Sequence, residues 1–391
     1  MRFRKPHFFQ RSLHDLYASI ASRCLPPVQE VDAQEISGAK SFVVQKSGEA
    51  ELRHPLEEAM YGPDFASTRV SWPEITGYQL PNVHLVGDQG CAYVAGRRLR
   101  GPCAVWSPVT RKSRRPISFL SRAEPAPLFH LTGINHENRA HFILDHLPRY
   151  FASRAFHQIE AAHLLLAPGH LKWQADFLGL LGVEKSRLSE GTPGSIRADK
   201  LYLMPFLTGQ NQFCDPQILQ DMLKEMHANI QIQGWNKSGQ SHSSAPRALW
   251  ISRRDAPDRQ LRNEESLVDI ARNILGAVEV IRLSAFPLRE QIAKIVNSEF
   301  IIGAQGQGIA NTVFASAKKV IILEQGTMPR EGGGWTAIFR DMAELAGNHA
   351  IRLYSDIPLA AGKSDWEFPA EHFAAELTRL KQICEIKTIF R

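Results

Sequence analysis

Cysteine is scarce in this chain of 391 residues, and long apolar runs are lacking. The cysteines are odd in number, scattered and never spaced as CxxC; they stand at positions 24, 91, 103, 214 and 384. This pattern disfavours a disulfide framework and a zinc site, and it fits a reducing compartment. No run reaches the roughly 18 apolar residues that span a bilayer, and the basic N-terminus has no continuous apolar segment of a signal peptide. We expect a cytoplasmic protein without a membrane span.

The overall composition is that of a folded protein, with 43% hydrophobic and 22% charged residues. Disordered, collagen-like and disulfide-rich classes are therefore excluded. A chain of this length exceeds what a single hydrophobic core normally supports, so we expect two domains.

Acidic residues are missing from one long stretch, Arg97–Arg122, which holds eight basic residues. The net charge of +6 is thus unevenly distributed, and one surface is expected to be strongly positive. Such a surface attracts the phosphate of a diphosphate ligand, of anionic lipid or of nucleic acid, and charge alone does not distinguish these. A solvated arginine-rich loop is the alternative interpretation.

The spacing of apolar residues divides the chain into regions. Residues 1–122 carry short mixed signals, including a possible helix at Leu13–Ile20, and predict a small, mostly β region. Residues 123–240 and 241–368 alternate apolar strands with helical segments, which is typical of parallel α/β domains. The polar stretch Gln233–Pro246 is the predicted linker between them, and residues 369–391 predict a C-terminal helix. Two such domains would leave a ligand cleft at the carboxyl ends of their strands.

A first candidate site is the glycine-rich turn Gly303–Gly308, which follows an apolar strand and precedes a predicted helix. Glycines allow close approach of a ligand, and a helix start offers free N–H groups to phosphate. The spacing is neither GxGxxG nor a P-loop. A turn whose glycines only relieve strain is the alternative.

A second candidate is the pair Arg253 and Arg254 at the end of another predicted strand, followed by Arg259. A guanidinium at the mouth of a cleft binds phosphate oxygens with two hydrogen bonds. An ion-pair network with Asp255, Asp258 and Glu264 would explain the same residues.

A third candidate is the segment Asn138–Arg149. In a helix, His141 and Asp145 lie one turn apart on one face, and either could act as a general base. A metal site built from these residues has no supporting HExxH or similar motif, so no metal is expected. The alternative is that His141 has only a structural role.

Taken together, the three motifs resemble glycosyltransferase family 61, which includes capsular polysaccharide biosynthesis proteins. The segment Asn138–Arg149 resembles the first signature of the family. Ile251–Arg254, with the residues that follow it, resembles the second. The third resembles Gly303–Gly306 through Asn311 to Glu324. The resemblance covers about Leu128–Glu324.

One position departs from the family pattern. Gln305 stands between two glycines where the family commonly has histidine. Glutamine donates a hydrogen bond but carries no charge. This departure puts in question how strongly the leaving group is stabilised, or whether the chain is active.

The resemblance implies a GT-B-like pair of Rossmann-type domains and an inverting transfer of a hexosyl or pentosyl group. The donor would be a nucleotide sugar, with UDP as the expected carrier, and no cofactor is implied. The acceptor would be a hydroxyl of a surface polysaccharide or a lipid-linked glycan, which suggests peripheral contact with the inner face of an anionic membrane. No nucleic-acid partner is expected.

The resemblance also suggests residue roles. Asp145 is the first choice of base and His141 the second, with the other orienting it. The diphosphate is expected at Gly303, Gly306, Arg253 and Arg254. Further substrate contacts are expected from Asn138, Arg259, Gln305 and Asn311, and ribose contacts from Glu324.

Two other functions remain open from the residues alone. One is a non-catalytic protein that binds polyanions or a membrane surface through the Arg97–Arg122 stretch. The other is an NAD-dependent enzyme built on the glycine turn, although that turn lacks the GxGxxG fingerprint.

Overall fold

The computed structural model describes residues 29–86, 91–99, 121–133, 135–166, 169, 171–191, 195–208, 213–236, 247–327, 337–357 and 365–385. The chain divides into two compact units. Unit 1 comprises Met1–Gly48 and Ser71–Ile218, and unit 2 comprises Glu49–Val70 and Leu219–Arg391. A short segment from the N-terminal part of the chain therefore belongs to the unit that the C-terminal half builds.

Unit 1 contains a mixed sheet, which in the described residues has ten strands in the order β1-β7-β6-β5-β12-β9-β10-β11, with β2 paired to β5 and β8 to β12. These strands are β1 (Glu30–Val31), β2 (Lys40–Gln45), β5 (Ile75–Val86), β6 (Cys91–Val94), β7 (Arg97–Leu99), β8 (Arg122–Glu124), β9 (Leu128–His130), β10 (His163–Leu166), β11 (Leu188–Glu190) and β12 (Ser195–Leu203). The remaining strands of the N-terminal part, β3 (Gly48–Arg53) and β4 (Ser67–Trp72), pair only with each other.

Strand direction changes in the middle of this sheet. β12, β9, β10 and β11 run parallel to one another, whereas β5 pairs antiparallel with β12 from Tyr78 to Val86. The long β5–β12 ladder satisfies the backbone groups of both strands and joins the two regions in one sheet. The predicted boundary at residue 122 consequently falls inside unit 1.

The helices of unit 1 are short. They are α2 (Arg139–His141), a π-helical turn (Phe142–His146), α3 (Leu147–Ser153), α4 (His157–Glu160) and α5 (Leu171–Gly179), with 3₁₀ turns at Ala33–Glu35 and Lys185–Arg187. The helix α6 (Pro216–Ile232) begins in unit 1 and continues into unit 2.

Unit 2 is a doubly wound parallel α/β fold. Its main sheet consists of β13 (Ala248–Ile251), β14 (Val278–Ile281), β15 (Phe300–Ala304), β16 (Lys319–Glu324) and β17 (His349–Tyr354). All pairs are parallel, in the order β14-β13-β15-β16-β17. The chain thus reverses its direction of travel between β13 and β15, which makes their carboxyl ends the topological switch point.

Helices cover both faces of this sheet. They are α1 (Pro55–Tyr61), α7 (Glu264–Leu275), α8 (Leu288–Val296), α9 (Ile338–Leu345) and α10 (Ala370–Glu385), with 3₁₀ turns at Pro63–Phe65, Leu283–Ala285 and Ile309–Phe314. One core joins α1, α7 and α10 to alternate strand residues such as Trp250 and Ile302. The other joins α8 and α9 to the intervening residues, such as Leu249 and Ile301.

Periodicity predicted the elements of unit 2 closely. The alternation of strands and helices predicted for residues 241–368 is observed, beginning with β13 at Ala248–Ile251 and α7 at Glu264–Leu275. The segment predicted as a helix after the glycine turn forms six residues of 3₁₀ helix instead. The predicted helix Leu13–Ile20 and residues 100–120 of the basic stretch lie outside the described residues.

The helix α1 seals the outer edge of the unit 2 sheet. Glu57 accepts a hydrogen bond from the backbone N–H of Arg352 in the edge strand β17 at 3.2 Å, and the Tyr61 hydroxyl donates to the Arg352 carbonyl at 2.9 Å. Leu56 and Met60 are buried in the adjoining core. An open strand edge invites pairing with other chains, so these side chains protect the sheet.

Glu57 is also the anion of a buried charge cluster. It accepts hydrogen bonds from Arg340 Nη1 at 2.5 Å and from Arg352 Nε at 2.8 Å, and all three side chains are almost completely buried. Burial alone would raise the pKa of Glu57, but the hydrogen bond from Arg352 and the charge of Arg340 outweigh it and hold the pKa below its ordinary value. The segment around α1 is therefore essential to unit 2.

We expect Glu57→Gln to lower the free energy of unfolding by about 3–5 kcal/mol, because it removes the carboxylate that two buried guanidinium groups share, although Arg340 keeps Asp341 at 2.7 Å. Urea unfolding followed by circular dichroism measures this change. Glu58→Gln, on the exposed side of the same helix, is the matched control and should change stability by less than about 0.5 kcal/mol. Equal effects of the two substitutions would contradict the role given to Glu57.

Candidate functional site

In unit 1, Asn138 organises the start of the third sequence motif. Its side-chain oxygen accepts hydrogen bonds from the backbone N–H groups of Ala140 at 3.0 Å and His141 at 3.3 Å. This is the usual role of an asparagine N-cap, which satisfies N–H groups that have no partner within the helix. The structure thus gives Asn138 a positioning role beside His141.

The helix that follows contains a π turn at Phe142–His146, between α2 and α3. Such turns are rare and occur frequently at functional sites. Phe142, Ile143 and Leu144 are buried, whereas Asp145 is partly exposed. The turn therefore buries an apolar face and leaves the Asp145 carboxylate accessible.

His141 and Asp145 form a hydrogen-bonded pair, as their spacing predicts. His141 Nδ1 lies 2.6 Å from Asp145 Oδ2, and the side chains are 26% and 18% exposed. The side-chain amide of Asn135 lies 3.4 Å from His141 Nε2. With Asp145 accepting at Nδ1, the neutral imidazole carries its proton there and leaves Nε2 as an acceptor.

A second polar group fixes the other carboxylate oxygen. The Thr208 hydroxyl donates to Asp145 Oδ1 at 3.4 Å, and it comes from the loop after β12. The sequence motif does not include Thr208 or Asn135. Thr208 and Asn135 are brought to the pair by the tertiary fold, so no sequence motif marks them. The one local structural feature is the left-handed backbone of Asn135, with φ of 57°.

The thiol of Cys214 is buried near this pair. Burial, together with the charges of Asp145 and Asp215, raises its pKa well above the ordinary value. A thiol that stays protonated is a poor nucleophile. Cys214 therefore contributes packing rather than a nucleophile, and the predicted base stays with His141 or Asp145.

In unit 2, Arg253 follows β13 and Gly306 follows β15, so both lie at the switch point of the sheet. A β-carbon at position 306 would collide with Nη1 of Arg253, which shows that the guanidinium lies against the glycine backbone. The predicted meeting of the arginine motif with the glycine turn is thus present within this unit.

Arg253 lacks a carboxylate partner among the described residues. Its Nη2 donates to the Asp258 carbonyl at 3.3 Å, and its buried Nε has no hydrogen-bond partner in this part of the chain. Burial and the positive charge of Arg259 lower the pKa of Arg253, although the carboxylates of Asp258 and Asp255 act in the opposite direction. A half-buried guanidinium with unused donors favours an anionic ligand.

The neighbouring Arg254 is engaged differently. It lies 3.0 Å from Glu264 and 3.0 Å from Glu265, which is the ion-pair alternative that the sequence left open. Arg259 lies 3.5 Å from Asp258 and is about half exposed, with a left-handed φ of 55°. Of the predicted arginines, Arg253 alone combines burial with unused donors.

Asn311 is buried in the 3₁₀ turn after the glycines. Its amide donates to Gln291 at 2.8 Å, and Gln291 in turn donates to the carbonyls of Leu283 and Phe286. This network ties α8 to the loop after β14. A direct contact of Asn311 with substrate stays a prediction, whereas its structural hydrogen bond is observed.

The glycine turn itself is shaped by packing. Gly303 lies in the buried strand β15, one residue before its end, and a β-carbon there would lie 3.1 Å from the Ile251 carbonyl. The Gln305 N–H donates to the Leu323 carbonyl at 3.0 Å, and the residue is partly exposed. The 3₁₀ turn that follows offers a weaker dipole than the predicted helix, because it is short.

Glu324 ends β16 and is only 1% exposed. Its Oε1 has no hydrogen-bond partner among the described residues. Burial raises the pKa of Glu324 to about 8, although the charge of Arg352 opposes this. In this conformation Glu324 is neither exposed nor ionised at neutral pH, so the predicted ribose contact stays a prediction.

The described residues contain neither a cluster of metal ligands nor a helix that could span a membrane. In the part of the chain that the structure describes, no three His, Cys, Asp or Glu side chains are grouped as metal ligands. None of the described helices combines the length and apolar character needed to cross a bilayer.

The sequence comparison identifies the class of protein. Residues 140–322 match the family model of glycosyltransferase 61. This stretch contains His141, Asp145, Arg253 and the glycine turn. The match supports a glycosyltransferase enzyme, as the motifs predicted. No curated protein is significantly similar to the chain.

A solved structure that resembles this chain is that of a dodecameric iron-containing heptosyltransferase, TibC, in complex with ADP-D-β-D-heptose. The two share 10% sequence identity and a TM-score of 0.33, over 94% of this chain and 99% of that chain. Similarity at this level supports no inference about ligands or assembly of the present chain.

The buried carboxyl of Glu324 predicts a pH dependence of stability. Its pKa of about 8 in the folded state exceeds the ordinary value of 4.5, so the folded state holds a proton that the unfolded state releases between these values. Stability contributed by this group is present below pH 4.5 and is lost as pH rises towards 8, with a limiting slope of about 1.4 kcal/mol per pH unit.

Urea unfolding of the wild type and of Glu324→Gln between pH 5 and 8 measures this contribution. Glu344 and Asp341 also have raised pKa values, so the difference between the two proteins is the relevant quantity. We expect that difference to change with pH, whereas the difference for the exposed Glu58→Gln should stay constant. A pH-independent difference for Glu324→Gln would show that the carboxyl is ionised in the folded state.

Proposed function

We propose that the chain is an inverting glycosyltransferase. It moves a sugar from a nucleotide-sugar donor to a hydroxyl of a surface polysaccharide or a lipid-linked glycan precursor. The observation that carries the proposal is the half-buried guanidinium of Arg253, which lies against Gly306 at the switch point without a carboxylate partner. The family match to glycosyltransferase 61 supports the same class of reaction.

Unit 2 binds the diphosphate in this proposal. Ligands of doubly wound sheets bind at the carboxyl ends of the strands where the strand order reverses. Arg253 and Gly306 flank that position between β13 and β15, and the glycine allows the ligand to approach the backbone. Arg253 neutralises charge that develops on the departing nucleoside diphosphate, which is how fixed donors accelerate such reactions.

Arg254 has a supporting role. Its ion pairs with Glu264 and Glu265 connect the loop after β13 to the start of α7. A guanidinium whose charge is already neutralised gains less from a phosphate, because the new contact must replace an existing one. In this proposal Arg253 binds the phosphate, and the ion pairs of Arg254 hold the loop after β13 in place.

Unit 1 supplies the base. Asp145 accepts from Nδ1 of His141, so Nε2 is the ring nitrogen that takes the proton of the acceptor hydroxyl, in exchange for its 3.4 Å contact with the amide of Asn135. This geometry favours His141 as the base and Asp145 as the orienting group, the reverse of the order expected from the sequence. The carboxylate also stabilises the imidazolium that forms, as in other histidine–carboxylate pairs.

The reaction then balances in one step. The acceptor oxygen forms a bond to the anomeric carbon while the bond from that carbon to the nucleoside diphosphate breaks. The electron pair of the broken bond leaves with the diphosphate, and the hydroxyl proton moves to His141. Because the acceptor attacks opposite the leaving group, the configuration at the anomeric carbon inverts.

A pair of arginine variants tests the diphosphate site. A thermal-shift screen of UDP, GDP, ADP and TDP selects the ligand, because a ligand that binds the folded state raises its apparent stability. We expect Arg253→Ala to weaken the selected diphosphate about tenfold or more, since a hydrogen bond to a charged group contributes about 1.5–3 kcal/mol. Calorimetry measures the dissociation constant.

Arg254→Ala is the matched control, and its affinity for the diphosphate should stay within about threefold of wild type because its guanidinium is already paired. Gly306→Ala should weaken binding like Arg253→Ala, since the new β-carbon displaces the guanidinium. Unchanged affinity in Arg253→Ala, or an equal loss in Arg254→Ala, would contradict this assignment.

Variants of the His141–Asp145 pair test the chemical step. We expect His141→Gln to lower kcat by about 10²–10⁴, the usual contribution of a general base, with the diphosphate affinity unchanged. Asp145→Asn should lower kcat less, because the imidazole remains. Release of nucleoside diphosphate from the nucleotide sugar, with water or an added acceptor, measures the rate.

His163→Gln is a suitable control. His163 Nδ1 lies 3.7 Å from Glu124 in the same unit, so this histidine has a carboxylate neighbour without a predicted catalytic role. Its kcat should stay within about twofold of wild type, as expected for a substitution away from the reacting groups. A larger loss in Asp145→Asn than in His141→Gln would instead make Asp145 the base.

A further inference from the structure

The turn before α2 carries Asn135, whose side chain meets the ring nitrogen of His141 that Asp145 does not contact. Asn135 Nδ2 lies 3.4 Å from His141 Nε2, and Asp145 Oδ2 lies 2.6 Å from Nδ1. The imidazole is thus contacted at both ring nitrogens within unit 1. The contact at Nε2 involves the nitrogen that the proposed reaction uses.

The hydrogen-bonding capacity of the groups fixes the direction of this contact. With Asp145 accepting at Nδ1, the neutral ring carries its proton there and has a single lone pair at Nε2. The side-chain N–H of Asn135 donates to that lone pair. Because the lone pair accepts one hydrogen bond at a time, Asn135 occupies the position at which a hydroxyl would transfer its proton to the base.

Hydrogen bonds on both sides hold the backbone of Asn135 in place. Its carbonyl accepts from the backbone N–H of Asn138 at 2.9 Å, and the buried side chain of Gln174 in α5 donates to the carbonyl of His136 at 3.0 Å. Asn135 has a left-handed φ of 57°, a conformation that asparagine adopts more readily than most residues. An anchored turn therefore presents the amide to the imidazole.

The contact between Asn135 and His141 is weak enough to be exchanged for a substrate contact. Its length of 3.4 Å exceeds the roughly 2.9–3.0 Å common for hydrogen bonds that an N–H group donates. Asn135 is partly exposed, and its side chain can change rotamer while the anchored turn stays in place. A glycan acceptor gains binding energy from parts remote from its reacting hydroxyl, which can offset the loss of this hydrogen bond. A water molecule has no such remote contacts.

We propose that Asn135 determines acceptor specificity: its amide covers Nε2 of His141 against water, and the base becomes available to a glycan hydroxyl that displaces the amide. Water is present at far higher concentration than any glycan, so an uncovered base would also promote hydrolysis of the donor. This role rests on the proposed function for its effect on the rate, whereas the contact between Asn135 and His141 can be measured without substrate.

Three variants isolate the effect of the amide. Asn135→Gly removes it, and glycine adopts the left-handed backbone without strain. Asn82→Gly is the matched control, because Asn82 in β5 is an exposed asparagine of the same unit with a left-handed φ of 50°. The variant that combines Asn135→Gly with His141→Gln tests whether a change in rate depends on the base. Thermal unfolding establishes that each variant is folded.

The first measurement is the rate at which diethyl pyrocarbonate acylates His141 in the ligand-free full chain. The unprotonated nitrogen of an imidazole attacks this reagent, so a covered Nε2 reacts slowly. Trypsin releases His141 in the peptide Ala140–Arg149, and fragmentation in the mass spectrometer separates it from the buried His146. We expect the rate at His141 to rise about three- to tenfold in Asn135→Gly, the range that one neutral hydrogen bond supplies, and to stay within about twofold in Asn82→Gly. An unchanged rate in Asn135→Gly would overturn the inference.

The second measurement is hydrolysis of the donor, followed as release of nucleoside diphosphate from the hexose conjugates of UDP, GDP, ADP and TDP without an acceptor. We expect Asn135→Gly to hydrolyse the donor about three- to tenfold faster than wild type, and the variant that also carries His141→Gln to lose this gain. Structural damage to a site lowers the rate, so a gain that requires His141 marks the covering role. A rate that is unchanged or lower in Asn135→Gly, or a gain that persists without His141, would overturn the inference.

The two measurements separate failure of this role from failure of the proposed function. If His141→Gln hydrolyses the donor like wild type, the proposed function fails, whereas the acylation rate still decides whether Asn135 covers Nε2. If neither wild type nor Asn135→Gly hydrolyses any of the four donors, both the specificity role and the proposed function are contradicted.

Discussion

A guanidinium that is buried away from water is destabilised unless an anion lies nearby. This constraint accounts for the ion pairs around the sheet of unit 2. In unit 2, Glu57 neutralises Arg340 and Arg352, and Glu264 pairs with Arg254. These pairs are complete within the chain. Arg253 is not, and its position against Gly306 at the switch point makes it the group that an external anion would satisfy. In unit 1, the buried guanidinium of Arg149 donates to the carbonyls of His130 and Thr132.

The same constraint separates structural from functional arginines. Adjacent arginines in the second motif look equivalent in the sequence, yet Arg254 lies beside two carboxylates and Arg253 lies beside a glycine backbone. Both arginines lie beyond the end of β13 at Ile251, where the strand alternation of side chains no longer applies, so the path of the loop decides which of them meets the glycine turn. Similarly, Asn138 and Asn311 stand in motifs that resemble substrate-binding segments, and both make hydrogen bonds that shape the backbone.

The inserted segment around α1 shows how long-range contacts define unit 2. Residues Glu49–Val70 precede most of unit 1 in the chain, yet Glu57 and Tyr61 bond to the edge strand of the unit 2 sheet. Periodicity reports which residues face a core but not which core they face. A boundary drawn from composition therefore kept this segment with its sequence neighbours.

The sequence by itself determined the parallel α/β architecture of unit 2, the class of enzyme and the pairing of His141 with Asp145. Strand and helix periods, glycine positions and one-turn spacing are local properties, and they were sufficient for these conclusions. Only the tertiary structure decided that Arg253, unlike Arg254, has no carboxylate partner among the described residues, that Glu324 is buried, and that Thr208 and Asn135 contact the pair. Burial and charge compensation depend on residues distant in the chain, and no local pattern encodes them.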